Sequence, residues 1–220
     1  MIVTIDGPAG SGKSTAARLL AQRLGFQFLD TGAMYRAVAL ECLALGIDLS
    51  DEVGVAEVAR RLNIVALGPT VRSNGRDVTA AIRAPEISGA ASRVAANPAV
   101  REAMVRLQRE AAEGRKIVTE GRDQGTVVFP DAFCKFYLTA DPDERARRRQ
   151  LELEEQGERV AFEELRAQIL ERDTRDKSRK NSPLVAAGDA QRIDTSKMTT
   201  DEMVHGLETI VRARMAEQTT

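Results

Sequence analysis

Aromatic side chains are scarce: two Tyr, six Phe and no Trp, 4% of 220 residues. That leaves little with which to build the stacking platforms on which single-stranded nucleic acid lies. Net charge is scarce too. Lys and Arg number 32 against 33 Asp and Glu, a balance of −1, so no global field draws the chain to nucleic acid or a membrane surface. The single histidine, His205, lies far from every motif and is expected at the surface, which excludes a histidine-based acyl-transfer or hydrolase mechanism. Cys42 and Cys134 fit neither a metal spacing nor a disulfide framework and read as reduced, buried thiols. No apolar run approaches the about 18 residues of a membrane span, and the chain opens directly on a strand with no room for a signal peptide. A cytoplasmic protein without a membrane or nucleic-acid partner is expected.

What is present begins at once. Ile2-Val3-Thr4-Ile5 runs into Asp6-Gly7-Pro8-Ala9-Gly10-Ser11-Gly12-Lys13-Ser14-Thr15, and an Ala- and Leu-rich helix follows. Positions 7 to 14 fit G-x-x-x-x-G-K-[ST] in its required strand and helix context, so residues 7–15 are expected to bind a nucleoside triphosphate. The glycines let backbone N–H groups close around a phosphate, and the helix N-terminus adds its free N–H groups and dipole. Lys13 brings a mobile charge to the outer phosphates, and the Ser14 hydroxyl is placed to ligate Mg²⁺.

Further along, the first helix ends at Gly25, and Phe26–Leu29 reads as a second strand. Asp30 or Thr31 can cap a helix from Ala33 to about Leu45. Another helix covers roughly 52–62, and then the texture changes. Residues 64–78 are short and β-prone around Asn74-Gly75, a strong hairpin signal. Helices are expected from about Pro85 to Ala96 and Pro98 to Ala112, broken at Asn97-Pro98. A buried strand Ile117–Thr119 leads into Glu120-Gly121-Arg122-Asp123, and Phe133–Leu138 is a further strand. A helix after Pro142, a break at Gln156-Gly157, a helix from Phe162 to about Thr174, a strand Arg192–Asp194 and a closing amphipathic helix from Thr200 to about Met215 complete the chain. Strands alternating with helices predict an α/β fold with a five-stranded parallel sheet. Its carboxyl edge would carry the phosphate loop, residues 30–36 and residues 120–123 together.

The arginines decide which P-loop chemistry fits. Arg36, Arg101, Arg122, the 145–149 run, Arg172, Arg175 and Arg179 are candidate charges for a moving phosphoryl group, which needs positioning more than covalent chemistry. Arg145, Arg148 and Arg149 share a helix face, either as a functional patch or as a solvated face paired with Glu152, Glu154 and Glu155. Positions 172, 176 and 179 share a face if that helix continues, suited to a phosphate and a ribose hydroxyl or to an ion-pair ladder. Arginines without a histidine suit a phosphate acceptor, already mostly a dianion at pH 7. No Asn-Lys pair exists for a guanine-reading N-K-x-D, which argues against a GTPase switch. UMP, AMP or shikimate kinases on the same fold stay open at this level.

Taken together, Gly7–Thr15, Leu29-Asp30-Thr31-Gly32-Ala33-Met34-Tyr35-Arg36, Glu120–Pro130 and Arg172-Asp173-x-Arg175-Asp176-x-x-Arg179 resemble the bacterial cytidylate (CMP) kinases, collinearly over essentially the whole chain. The resemblance implies ATP-dependent phosphorylation of CMP, and of dCMP, in one kinase unit. Its P-loop NTPase-type core would span about 1–35, 86–143 and 180–220, with a β-containing monophosphate-binding region about 36–85 and a short helical lid about 144–179. It implies that Ser92, Arg101 and Asp123 face the cytosine, that Arg36, Arg122 and Arg179 hold the CMP phosphate, and that Arg172 and Asp176 lie near the sugar beside Thr31. The residue types agree with that: a carboxylate can accept from cytosine N4 and an arginine can donate to N3 and O2, whereas uracil would leave buried groups unpaired. The 145–149 cluster, Arg148 in particular, would lie over the ATP phosphates. Mg²⁺ with ATP and a monomeric state are also implied. Glu120 and Thr31 depart from the family's usual Asp and Ser.

Overall fold

The computed structural model describes residues 1–155, 157–179 and 181–218. Of the expected break at Gln156-Gly157, Gln156 lies outside the described residues, and Gly157 has a φ of 82°. The centre is a parallel sheet of β1 (Ile2–Asp6), β2 (Gln27–Asp30), β6 (Ile117–Gly121), β7 (Cys134–Thr139) and β8 (Gln191–Asp194) in the order β2-β6-β1-β7-β8. β1 pairs with β6 from Ile2 opposite Ile117 to Asp6 opposite Gly121, and with β7 from Val3 opposite Cys134. Such central strands need apolar residues on both faces, and Val3, Ile5, Ile117, Val118, Cys134 and Leu138 are fully buried.

Helix α1 (Lys13–Leu24) and the C-terminal α8 (Thr200–Glu217) cover one face, where Ala17, Leu20, Leu207 and Val211 pack against Val3, Ile5, Phe136 and Leu138. α2 (Thr31–Ala44), α3 (Glu52–Arg61), α4 (Pro85–Val94) and α5 (Pro98–Ala112) enclose the other core, built on Leu29, Met34, Val38, Val55, Ile82, Met104 and Ile117. A small antiparallel sheet of β3 (Ile64–Val65), β4 (Arg72–Ser73) and β5 (Arg76–Asp77) lies between α3 and α4 in the chain. Its turn has Asn74 at φ 48° and Gly75 at φ 79°, the positive angles a two-residue hairpin demands. It joins the main sheet by hydrogen bonds from Asp30 N to Ala66 O, 3.1 Å, and from Gly68 N to Phe28 O, 2.9 Å. A hairpin of α6 (Pro142–Glu155) and α7 (Phe162–Ser178) closes the architecture. Among the described residues no helix is long and apolar enough to cross a membrane. Both cysteines are free and buried, and His205 is exposed.

Two boundaries differ from expectation in ways that matter. Helix α2 begins at Thr31, two residues early, because the Asp30 carboxylate caps it by accepting from Ala33 N at 2.7 Å. Helix α7 runs to Ser178, four residues beyond the expected end, which carries Asp176 into the helix and sets Arg179 at its C-cap. A π-helical turn at Gln124–Val128 was not expected. Its first amides bond the Asp6 carboxylate 118 and 119 residues away, a partner that no local pattern signals.

Candidate active site

The phosphate loop leaves β1 at the carboxyl edge and wraps the N-terminus of α1. Gly7 is obligatory there: its φ is 153°, and a Cβ would stand 2.2 Å from Leu138 O on the neighbouring strand. Gly12, at φ 83°, is the N-cap of α1 and has no side-chain cap, so the first N–H groups of the helix are left to a ligand. Ser14 and Thr15 are exposed at the cleft. Lys13 is buried, its Nζ donating to Pro8 O at 3.0 Å and lying 3.9 Å from Glu120 Oε2. Burial, with Arg122 beside it, pushes the Lys13 ammonium down to about 7, although Glu120 opposes the shift. Between that value and the ordinary 10.5, the unfolded chain holds a proton the folded one has lost, so this group favours folding more as pH rises. A triphosphate would restore the charge. At pH 8, nucleotide binding is therefore expected to take up a proton at this group, read as a buffer-dependent calorimetric enthalpy, and affinity should weaken as pH rises above about 7. Zero uptake or proton release at pH 8 would contradict this.

Asp6, at the end of β1, is the functional residue sequence reasoning missed. Its carboxylate accepts from Gln124 N at 2.9 Å and Gly125 N at 2.7 Å. Burial drives its carboxyl up to about 7 against those two donors. It thereby pins the segment after Asp123 to the strand that launches the phosphate loop. The signal was available: a carboxylate terminating an otherwise apolar central strand needs a buried partner.

One cleft of about 890 Å³ holds nearly all the expected residues: Lys13, Ser14, Thr31, Arg36, Ser92, Arg101, Arg122, Asp123, Arg148, Arg172, Asp176 and Arg179 among them. Residues from α1, α2, α4, α5, the end of β6, α6 and α7 converge on it. From α2, Arg36 approaches Asp30 at 3.3 Å, while Thr31 Oγ1 donates to Glu120 O at 2.6 Å and ties α2 to β6. After β6, Arg122 Nε donates to Asp176 Oδ2 at 2.8 Å, and Arg179 pairs with the other oxygen of the same carboxylate. Burial alone would raise the Asp176 carboxyl; Arg122 and Arg179 overcome it and hold it below its ordinary value. Arg172 has its Nε buried without a hydrogen-bond partner, as do Arg36, Arg101 and Arg179. Burial beside Arg122 drives Arg172 down to about 10. These guanidiniums outnumber their carboxylates in a low-dielectric pocket, and an anion is what they lack.

At the far end of the cleft Arg101 and Asp123 form a buried ion pair. Arg101 also donates to Ala95 O at 3.2 Å and lies 5.6 Å from the ring centre of Tyr35. The Ser92 hydroxyl accepts from Arg175 Nη1 at 3.1 Å.

The 145–149 run divides by face. Arg145 is buried, reaching Ala9 O of the phosphate loop at 3.1 Å and Asp173 of α7 at 2.6 Å. Arg148 donates to Thr195 O at 2.7 Å, and Thr195 Oγ1 donates to Ser11 O at 3.1 Å. Arg147 is exposed and pairs with Glu144 at 3.5 Å, whereas Arg149 lines the cleft and pairs with Glu152 at 3.0 Å. The expected pair of Arg149 with Glu152 forms, but on the wall of the cleft, while Arg145 and Arg148 turn to the phosphate loop.

A phosphate loop on the central strand, facing a second cationic pocket across one sheet edge, defines a P-loop kinase. Solved structures agree on the fold: shikimate kinase from Bacteroides thetaiotaomicron superposes with a TM-score of 0.52 at 13% identity, over 96% of this chain and 98% of that one. A gluconokinase from Sinorhizobium meliloti does so with a TM-score of 0.52 at 16% identity, over 99% and 94%. The particular family is set by sequence. This chain belongs to the cytidylate kinase family, whose model matches residues 3–213. Cytidylate kinase of Caldanaerobacter subterraneus is 49% identical over 210 residues, 96% of this chain and 94% of that one. That of Pelotomaculum thermopropionicum is 50% identical over 208 residues, 92% of each.

Proposed function

We propose that the protein transfers the terminal phosphoryl group of ATP to CMP, and to dCMP, giving ADP and the cytidine diphosphate. The observation that carries this reading is the cluster of Arg122, Arg172 and Arg179 around the buried Asp176, opening with Arg36 onto the same cleft as Lys13. ATP lies on residues 7–15, its phosphates bound by the loop N–H groups and Lys13, with Arg148 beside them. Arg36, Arg122 and Arg179 hold and aim the acceptor phosphate, and Arg172 with Asp176 meets the ribose. Thr31 frames that site through its bond to β6. Ser92, Arg101 and Asp123 read the cytosine. An acceptor dianion needs no base, in keeping with a cleft that has no histidine.

Among the described residues no group of three or more His, Cys, Asp or Glu is disposed to hold a metal. The exposed Ser14 hydroxyl suits a Mg²⁺ brought in by the triphosphate, which supplies charge neutralisation on the phosphates. The protein's own contribution is to orient the two nucleotides and exclude water as α6 and α7 cover them. We place the boundaries of the monophosphate-binding region and the lid as about 36–85 and 144–179, and the working unit as a monomer acting in the cytoplasm.

A coupled assay with CMP, dCMP, UMP, AMP and shikimate tests the reading; turnover of CMP no better than the others would sink it. Asp123→Ala is expected to lower kcat/KM for CMP by about 100-fold and to erase most of the preference over UMP, because it removes an acceptor and leaves Arg101 unpaired. Unchanged CMP-over-UMP preference would remove Asp123 from base recognition.

A further inference from the structure

Arg175 has no role in the function proposed above, yet it reaches across the cleft. It belongs to α7, while the group it touches, Ser92 Oγ, belongs to α4 on the monophosphate side. Its guanidinium is steadied from behind by Glu171, one turn earlier on the same helix. Ser92 is buried, and it lines the same cleft as Arg101 and Asp123. Among the described residues no acceptor is found for its hydroxyl proton.

A serine hydroxyl can donate or accept, and its rotor ordinarily adapts to whatever faces it. A guanidinium can only donate. With Arg175 Nη1 donating to Ser92 Oγ at 3.1 Å, one lone pair is occupied, and a proton directed toward Arg175 would meet a cation. The hydroxyl hydrogen is therefore turned away from Arg175 and is left for an acceptor. An adaptable group becomes a committed donor, further polarised by the charge behind it.

We propose that Arg175 is a positioning residue for base selection: it fixes Ser92 as a hydrogen-bond donor, so that the site favours an acceptor-rich pyrimidine edge, cytosine N3 and O2, over the N3–H of uracil. The proposal rests on the reading that Ser92 faces the base. The mechanism supplies selectivity at low cost in substrate contacts, since Arg175 need not touch the nucleotide. It also links α7 to α4 across the cleft, so the donor is set only while the two helices lie as they do here.

The test is a double-mutant cycle on the full chain, with kcat and KM measured for CMP and for UMP. The enzymes are the parent, Arg175→Met, Arg175→Lys, Ser92→Ala and the Ser92→Ala/Arg175→Met double variant. Arg175→Met is expected to lower the CMP-over-UMP ratio of kcat/KM about tenfold, the weight of one charge-assisted hydrogen bond. The loss should fall on the KM for CMP, with the KM for ATP unmoved. Arg175→Lys, which can still donate, is expected to recover most of the ratio, and Arg175→Met should have no further effect once Ser92 is Ala. An unchanged ratio in Arg175→Met, failure of Lys to rescue, or an equal effect in both backgrounds would overturn the proposal. Loss of preference in Ser92→Ala alone, with Arg175→Met normal, overturns the Arg175 role and leaves the base-facing reading of Ser92 standing. Full preference in Ser92→Ala defeats that reading itself and the proposal with it.

Discussion

Lys13→Ala is expected to lower kcat by about 10³-fold, at the upper end of what one preorganised charge contributes where charge moves in the transition state. The reason is positional. Lys13 is the first residue of α1, and its Nζ is held by Pro8 O within a loop whose shape depends on Gly7 and Gly12. Among the described residues no other cation is held in this position: Arg145 and Arg148 bond Ala9 O, Asp173 and Thr195. The loss should appear in kcat more than in the KM for CMP, because the acceptor pocket is built from other elements. Lys13→Arg should fare little better, since a planar fork cannot take the place of a compact ammonium in a buried slot. Steady-state coupled kinetics, with circular dichroism to verify the fold, make the measurement. A drop of less than tenfold in kcat would place the phosphoryl-stabilising charge elsewhere.

The second large effect is on stability. Asp176→Asn is expected to cost about 3–5 kcal/mol, the penalty for leaving buried charge uncompensated. For a chain of this size that is a fall in Tm of roughly 6–20 °C. Its side chain is 1% exposed and serves Arg122 and Arg179 at once, with Arg172 near enough to feel its charge. Because its folded carboxyl is held below 3.8, the stability it provides is present above that value and lost as pH falls through the lower folded value. The variant should also respond more strongly than the parent to inorganic phosphate in a thermal-shift experiment, since an anion supplies what the missing carboxylate did. A Tm change under 2 °C, or no added response to phosphate, would show that the guanidiniums do not depend on Asp176.

Much of the donor half was legible in the sequence because its determinants are local. A strand, three glycines at fixed spacing and a Lys-Ser-Thr helix start need no distant partner to adopt their shape, and the structure has them at Gly7–Thr15. The same holds for the hairpin at Asn74-Gly75, the Asp30 cap and the Asn97-Pro98 break, each carried by one or two residues with restricted backbone or a short polar side chain. The arginines of the acceptor half could be nominated, but not paired. Arg101 with Asp123, Arg122 with Asp176 and Arg145 with Asp173 are joined over 22, 54 and 28 residues. Helix periodicity alone left residues 145–149 and 172–179 equally open to being ion-pair ladders on a wet surface.

The sequence by itself therefore determined the α/β class, the parallel sheet, the triphosphate loop and, by its collinear motifs, the family. Local backbone preference and hydrophobic alternation act between near neighbours and survive without a fold. Tertiary structure alone decided which arginines share a carboxylate, that Asp6 holds the turn after Asp123, that Arg145 seals the phosphate loop, and that Arg175 reaches Ser92. Those outcomes depend on distance through space and on exclusion of water, and neither exists until α2, α4 and α7 have closed around the end of β6.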